Sequence, residues 1–218
     1  MQKPPVALFS GGPVVRLVDL ALSVQGSDGK LSLDDELRRY VRVVGKNRTA
    51  DWNCPVRVAA ALLELAGDFV AGPEGLAVCP PEFRGKVARA ADGMDPAEYL
   101  RMLAELLRII DREPAPEYEE LAMAGWEFLQ TFPHLFGFDA ILMDEGAASG
   151  LSQAVLTAVT NEHPYCRDLA AAYTTEAQRA LVLFPGERCL ADRLVWATRT
   201  GLREIIDTLD DHMQREHS

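Results

Sequence analysis

Six basic side chains fall within twenty residues and form the clearest chemical feature of the sequence. They are Arg38, Arg39, Arg42, Lys46, Arg48 and Arg57. Only one acidic residue, Asp51, lies among them. The first three arginines fall on a predicted helix, away from its apolar face. Guanidinium groups bind phosphates and carboxylates through paired hydrogen bonds. This basic patch therefore predicts contact with phosphate or with an acidic partner, such as the chain's own second half.

One histidine–cysteine pair has a spacing suited to a metal. His163 and Cys166 form an HxxC pair where a helix is predicted to begin, and imidazole and thiolate groups bind zinc. The pair would supply half of a zinc site. The cysteines that could complete it in space are Cys54, Cys79 and Cys189. Because the chain has no CxxC pair, four separate buried thiols are the simpler interpretation, and we predict neither a metal nor a cofactor.

Groups for catalysis are sparse in the sequence. His212 and His217 lie in a tail that we expect to be frayed. Residues 10–12, Ser-Gly-Gly, resemble the start of the SGGxDS phosphate loop of ATP pyrophosphatases, but Val14 and Val15 stand where that loop has Asp and Ser. No nucleophile stands near a general base at a spacing typical of catalysis. We therefore predict no catalytic residues.

The composition is typical of a globular protein. Of the 218 residues, 48% are apolar and 25% are charged, so the chain can bury a substantial core in one or two domains. No segment approaches the roughly 20 apolar residues that cross a bilayer. The apolar N-terminal run contains Arg16 and Asp19 and has no small-residue cleavage site. We predict a cytoplasmic protein without membrane contact.

Charge is unevenly distributed along the chain. Residues 1–112 contain 15 basic and 15 acidic side chains, whereas residues 113–218 contain 7 and 18. The net charge of −11 therefore belongs to the acidic second half. Because the first half is neutral overall, the total charge does not exclude nucleic-acid binding there.

Helical periodicity dominates the first half. Ser32 is a predicted N-cap of a helix that ends near Gly45. Its apolar face is formed by Leu33, Leu37, Tyr40, Val41 and Val44. A third helix begins near Asn53, after a first one predicted from Pro13 to about Val24, and leads into a predicted two-stranded ribbon at residues 68–79. Asp95 is the predicted cap of a further helix that carries Pro at its first position.

A proline-rich segment at residues 113–117 cannot continue this helix and is the predicted linker. It separates a first domain, 1–112, from an acidic helical domain, 118–218. Four helices are predicted in the second half, at residues 117–132, 150–160, 164–184 and 187–216. Residues 138–143 fit either a strand or a helix. Near-heptad apolar spacing in 187–216 predicts packing within the domain or, alternatively, a homodimer seam.

The order of these elements resembles a known arrangement. The segment DGKLSLDDELRRYVRVVG, then an apolar helix, a ribbon and the helix beginning DPAEYL, resembles the winged-helix half of certain uncharacterised bacterial proteins common in actinobacteria. In those proteins the wing leads into a DPxxLW-type helix, where this chain has Tyr99-Leu100. The resemblance covers about residues 13–110. It implies a mainly α fold with a small β-ribbon, in which a winged-helix-like module precedes an α-helical domain.

The chemistry of this module favours protein contact over base reading. The predicted exposed positions of its third helix are Arg57, alanines and Glu64, and the ribbon tip carries Glu74. Our leading hypothesis is a non-enzymatic protein-interaction module whose partner is another protein or a second copy. The alternatives are a DNA-binding transcriptional regulator with a helical ligand-sensing or dimerisation domain, and an enzyme of unknown class.

Overall fold

The computed structural model of the protein describes residues 6–46, 54–144 and 150–217. Within these ranges the chain is mainly helical and contains no β-strand, which confirms the predicted helical class. The chain divides into two compact units, residues 1–127 and 128–218. Residues 113–117, predicted as the linker, therefore lie within the first unit.

Helices account for most of both units. Those of the first unit are α1 (Val6–Ser10), α2 (Gly12–Gln25), α3 (Leu33–Lys46), α4 (Val56–Ala71), α5 (Pro81–Ala91) and α6 (Pro96–Ile110). The helix α7 (Gly125–Thr131) contains the boundary between the units. Those of the second unit are α8 (Pro133–Asp144), α9 (Leu151–Asn161), α10 (Cys166–Leu183) and α11 (Arg199–Glu216).

The core of the first unit forms around α3. Leu37, Tyr40 and Val44 are buried on the predicted apolar face, and α3 packs against α2 and α6. Burying a large aliphatic side chain contributes roughly 1.5–3 kcal/mol, so this face holds α3 in place. The Ser32 hydroxyl accepts a hydrogen bond from the N–H of Asp35 at 3.4 Å, as the predicted N-cap requires.

Close packing of α4 on α6 completes this core. Gly67 allows the approach, since a Cβ atom there would lie 3.1 Å from the carbonyl oxygen of Ala97. The predicted cap of α6 is confirmed, because the Asp95 carboxylate accepts hydrogen bonds from the N–H groups of Ala97 and Glu98 at 3.0 Å. The close contact at Gly67 thus lies against the first turn of α6.

The predicted ribbon at residues 68–79 is wrong. Residues 68–71 complete α4, and Gly75–Val78 form one 3₁₀ turn. Val70 is buried and extends the helical period of α4 to its last turn, whereas the short apolar run after Gly75 has no period of its own. Such a run fits a strand or a helical turn equally well. Without a wing among the described residues, the winged-helix module is not supported.

The second unit is built on three long helices, with α11 packed against both α9 and α10. The ambiguous residues 138–143 are helical and belong to α8. The last helix is shorter than predicted, since it begins at Arg199 with Thr198 as its N-cap. Residues 187–198 form turns instead. Leu202 and Leu209, two members of the predicted heptad, are buried within this unit.

One segment among the described residues, Ala7–Gln25, is apolar and long enough to cross a membrane, with a mean hydropathy of 1.5. No such segment was predicted from the sequence. In the structure Val14, Leu17 and Val18 of this segment lie in the core of the first unit. A buried core helix meets the same criteria of length and composition, so the segment is weak support for a membrane span.

Candidate functional site

An acidic, largely non-helical segment follows α6 in the first unit. Residues 113–127 contain no Lys or Arg, and we call this segment the acidic strap. Its five glutamates are Glu113, Glu117, Glu119, Glu120 and Glu127. The sequence predicted a helix over 117–132, but helix begins only at Gly125, where α7 starts. Because most of the strap lacks helical hydrogen bonds of its own, side chains outside it must hold it in place.

Basic side chains of α3 provide that support. Arg38 donates to Glu113 Oε2 at 2.5 Å and also to Asp34 on its own helix at 2.6 Å. Hydrogen bonds to Asp34 and Glu113 raise the pKa of the Arg38 guanidinium. Lys46 Nζ donates to Glu117 Oε2 at 3.0 Å. Two members of the predicted basic patch thus contact acidic residues of the strap.

Arg42 makes the central contact and is completely buried. Its Nε and Nη2 donate to the two carboxylate oxygens of Glu127, each at 2.7 Å. Its Nη1 donates to the carbonyl oxygens of Pro116, Glu117 and Leu121 at 3.1, 3.2 and 2.7 Å. Buried charge is tolerated when it is paired and its donors are used. This guanidinium is consequently not available to phosphate.

Arg39 attaches the strap at a further point. Its Nε donates to the carbonyl oxygen of Ala122 at 3.0 Å, and its Nη1 donates to Glu36 Oε1 at 2.7 Å. The second oxygen of the buried Glu36 accepts the indole N–H of Trp126 at 2.6 Å. The acidic partner of the α3 arginines is therefore a segment of the first unit itself.

Arg57 lies apart from this arrangement. Arg57 is on α4, its side chain is 91% exposed, and its Nε lies 3.5 Å from Asp111 Oδ2. Arg48 lies outside the described residues. The structure thus gathers Arg38, Arg39, Arg42 and Lys46 at the strap and leaves Arg57 on a different exposed surface.

One exposed surface of α4 is largely apolar. Val58 and Leu65 are 45% and 43% exposed, Ala61 is exposed, and Leu62 is half-buried. Spacings of three, four and seven residues put these side chains on one side of a helix. We call Val58, Ala61, Leu62 and Leu65 the apolar stripe.

The polar side of α4 is engaged with α6. Asp68 accepts a hydrogen bond from Arg101 at 2.9 Å, and Glu64 pairs with Arg108. Hydrogen bonding to Glu64 raises the pKa of the Arg108 guanidinium. Because these charges meet partners within the first unit, the apolar stripe is the part of α4 most suited to contact outside it.

A second candidate site lies in the second unit and joins residues that the sequence analysis kept apart. We call His163, Cys166, His212 and His217 the histidine–cysteine cluster. One donor atom from each lies within 4.8 Å of all the others. Cys166 Sγ is 3.5 Å from His163 Nδ1 and 3.0 Å from His217 Nε2.

The HxxC pair is thus joined by two histidines from the C-terminal part of the unit's sequence. The tail expected to be frayed is helical through Glu216, which brings His212 and His217 to the start of α10. Cys54, Cys79 and Cys189 are not part of this cluster. Burial raises the pKa of each of these three thiols. The sequence did place two histidines five residues apart near its C-terminal end, but this spacing does not by itself put them on one helix face.

No protein-family model, no curated protein and no solved structure matches this chain. The resemblance to the winged-helix half of actinobacterial proteins is therefore not tested by any relative. The features that bear on function are the apolar stripe, the acidic strap and the histidine–cysteine cluster.

Proposed function

We propose that the protein is a non-enzymatic protein-interaction module and that the apolar stripe on α4 is its contact surface. The observation that carries this proposal is the exposure of Val58 and Leu65 on the same side of one helix. Single exposed apolar residues are common. A line of them at helical spacing matches the arrangement by which proteins dock an amphipathic helix.

The partner that fits the stripe is an apolar helix face of another protein. Seven residues separate Val58 from Leu65, which corresponds to about 10 Å along the helix. Two turns of a partner helix cover that length. Arg57 lies beside Val58 and is highly exposed, so an acidic side chain at that end of the partner would add a favourable contact.

The basic patch supports protein contact better than DNA binding. Its four residues on α3 bind carboxylates and carbonyls of the acidic strap, and a phosphate backbone would have to displace these groups. The DNA-binding regulator and the enzyme remain predictions that no arrangement described above favours. A homodimer seam in 187–216 is also still a prediction, although Leu202 and Leu209 already pack within the second unit.

Site-specific photo-crosslinking in cells tests the proposal. A benzophenone side chain at position 65 should give discrete adducts with one protein, which mass spectrometry identifies. The matched control places the same group at position 98, an exposed residue of α6. An added Val58→Asp substitution should remove most of the adduct without changing stability by more than about 0.5 kcal/mol, because the site is exposed.

Two results would contradict the proposal: no adduct at position 65, or the same adducts at positions 65 and 98. An adduct of twice the 24.0 kDa chain mass would replace the proposed partner with a second copy.

A further inference from the structure

We infer that the histidine–cysteine cluster is a zinc site, formed by His163, Cys166, His212 and His217 and independent of the apolar stripe. Three imidazoles and one thiolate are a ligand set that Zn²⁺ binds tetrahedrally. All four residues of the cluster lie in the second unit. The inferred zinc site is therefore independent of the proposed function.

The helices of the second unit bring the four ligands together. His163 lies in the turn before α10, and Cys166 is the first residue of that helix. His212 lies near the end of α11, and His217 follows its last residue. Because α10 packs against α11, the start of one helix and the end of the other share one location.

Hydrogen bonding within the cluster leaves one buried nitrogen atom without a partner. The thiol of the fully buried Cys166 is within reach of His163 and His217. His212 is only 8% exposed, yet its Nε2 has no hydrogen-bond partner. An unsatisfied buried polar atom costs about 1–3 kcal/mol. The thiol–imidazole hydrogen bonds do not involve this atom, whereas a metal bound through His212 Nε2 would satisfy it.

The separations are close to those of a tetrahedral zinc site. Bonds of about 2.0–2.1 Å to nitrogen and 2.3 Å to sulfur put neighbouring donor atoms roughly 3.3–3.6 Å apart. The two measured sulfur–nitrogen distances are 3.5 and 3.0 Å. The largest separation, within 4.8 Å, requires an inward movement of about 1 Å. His163 and His217 are exposed, so their rings have room to move.

Solvent access to the cluster is provided by a cleft of about 780 Å³ between α9 and α11, lined by His163 and His212. Four protein ligands fill a tetrahedral shell, and closed shells are typical of structural zinc. The inferred role is therefore to fasten the end of α11 to the start of α10.

Metal analysis of the purified full chain tests this inference. We expect one Zn²⁺ per chain after dialysis, and a Co²⁺-substituted protein with the sulfur-to-cobalt charge-transfer band and intense d–d bands of four-coordinate cobalt. His217→Ala should weaken zinc affinity by more than about 100-fold, since even the loss of a group that hydrogen-bonds to a ligand costs 10–100-fold. His217 is exposed at a helix end, so this variant should keep its helical circular dichroism.

Cys166→Ser should abolish the charge-transfer band, whereas Cys189→Ser is the matched control and should leave both the band and the affinity unchanged. The inference is overturned if the wild-type chain binds no Zn²⁺ at micromolar concentrations. It is equally overturned if His217→Ala binds as tightly as wild type, or if Cys189→Ser impairs binding as much as Cys166→Ser.

Discussion

At the scale of single residues, Arg42 has the greatest structural consequence. Its side chain makes five hydrogen bonds, two to Glu127 and three to carbonyls of the acidic strap. Removing one partner of such a pair leaves the other charge buried and unpaired, which typically costs more than the pair itself contributes. Arg42 is therefore the central attachment of the strap, beside those made by Arg38, Arg39 and Lys46.

Arg42→Met should destabilise the first unit by about 3–5 kcal/mol, because it leaves Glu127 charged in the core and removes the guanidinium donor from three carbonyls. Urea unfolding followed by circular dichroism measures the change. Arg38→Met, one helical turn earlier, is the control, because Arg38 binds half-exposed carboxylates and should cost less than about 1 kcal/mol. Equal effects of the two substitutions would show that Arg42 has no special role.

The burial of Arg42 could not be predicted from the sequence, although its neighbours could. Tyr40, Val41 and Val44 follow the helical period and were placed correctly on the apolar face. The position of Arg42 on the helix indicated only that it lies away from that face. Its partner is 85 residues later in the chain, and no local pattern connects the two.

At the scale of helices, the second unit caps two N-termini with carboxylates from distant helices. Glu176 on α10 accepts hydrogen bonds from the N–H groups of His134 and Leu135 at the start of α8. Glu204 on α11 does the same for the N–H of Ser152 on α9 and also accepts its hydroxyl. Negative charge at a helix N-terminus is favourable. Each cap therefore forms only when two helices are docked.

Glu176→Ala should lower the free energy of unfolding by about 2 kcal/mol, since it removes both a cap and a favourable charge at the start of α8. Glu187→Ala is the control, an exposed glutamate in the same unit that should change stability by less than about 0.5 kcal/mol. Thermal or urea unfolding gives the values. A cost for Glu176→Ala that is no larger than the control would rule out a capping role.

Local caps were predictable and distant ones were not. Asp95 was recognised because the groups that it caps lie two and three residues later. Glu176 caps residues about forty positions earlier, so its position in the sequence looks like an ordinary helical glutamate. For the same reason, only part of the histidine–cysteine cluster could be predicted from the sequence. The HxxC half was visible, but the other half depends on how α11 packs.

At the scale of the whole molecule, the boundary between the two units gives a different distribution of charge from the predicted division at residue 112. When the chain is divided at residue 127, the first unit has 15 basic and 20 acidic residues and the second has 7 and 13. The net charges are −5 and −6, so the acidity is shared instead of belonging to one half. The acidic strap accounts for the difference from the division at 112.

With both units negative and the α3 arginines engaged, we expect no affinity for random duplex DNA. A gel shift at low salt should show no complex at protein concentrations up to about 10⁻⁵ M, where non-specific binders are usually detected. Arg38→Ala should give the same result. Binding that falls steeply with salt and is lost in Arg38→Ala would instead favour the DNA-binding regulator.

The hydrogen bonds from Arg42 to the strap should also protect the strap from proteolysis. Extended segments rich in glutamate are good substrates for a glutamyl endopeptidase, because the protease needs a stretch of chain that can leave the surface. The strap has the composition of such a substrate, but its carbonyls at 116, 117 and 121 are bound to α3. We expect cleavage first at exposed Glu187, in the turns before α11. A later cut after Glu119 would leave both new ends attached to the same guanidinium, so the nicked chain would still migrate as one native species.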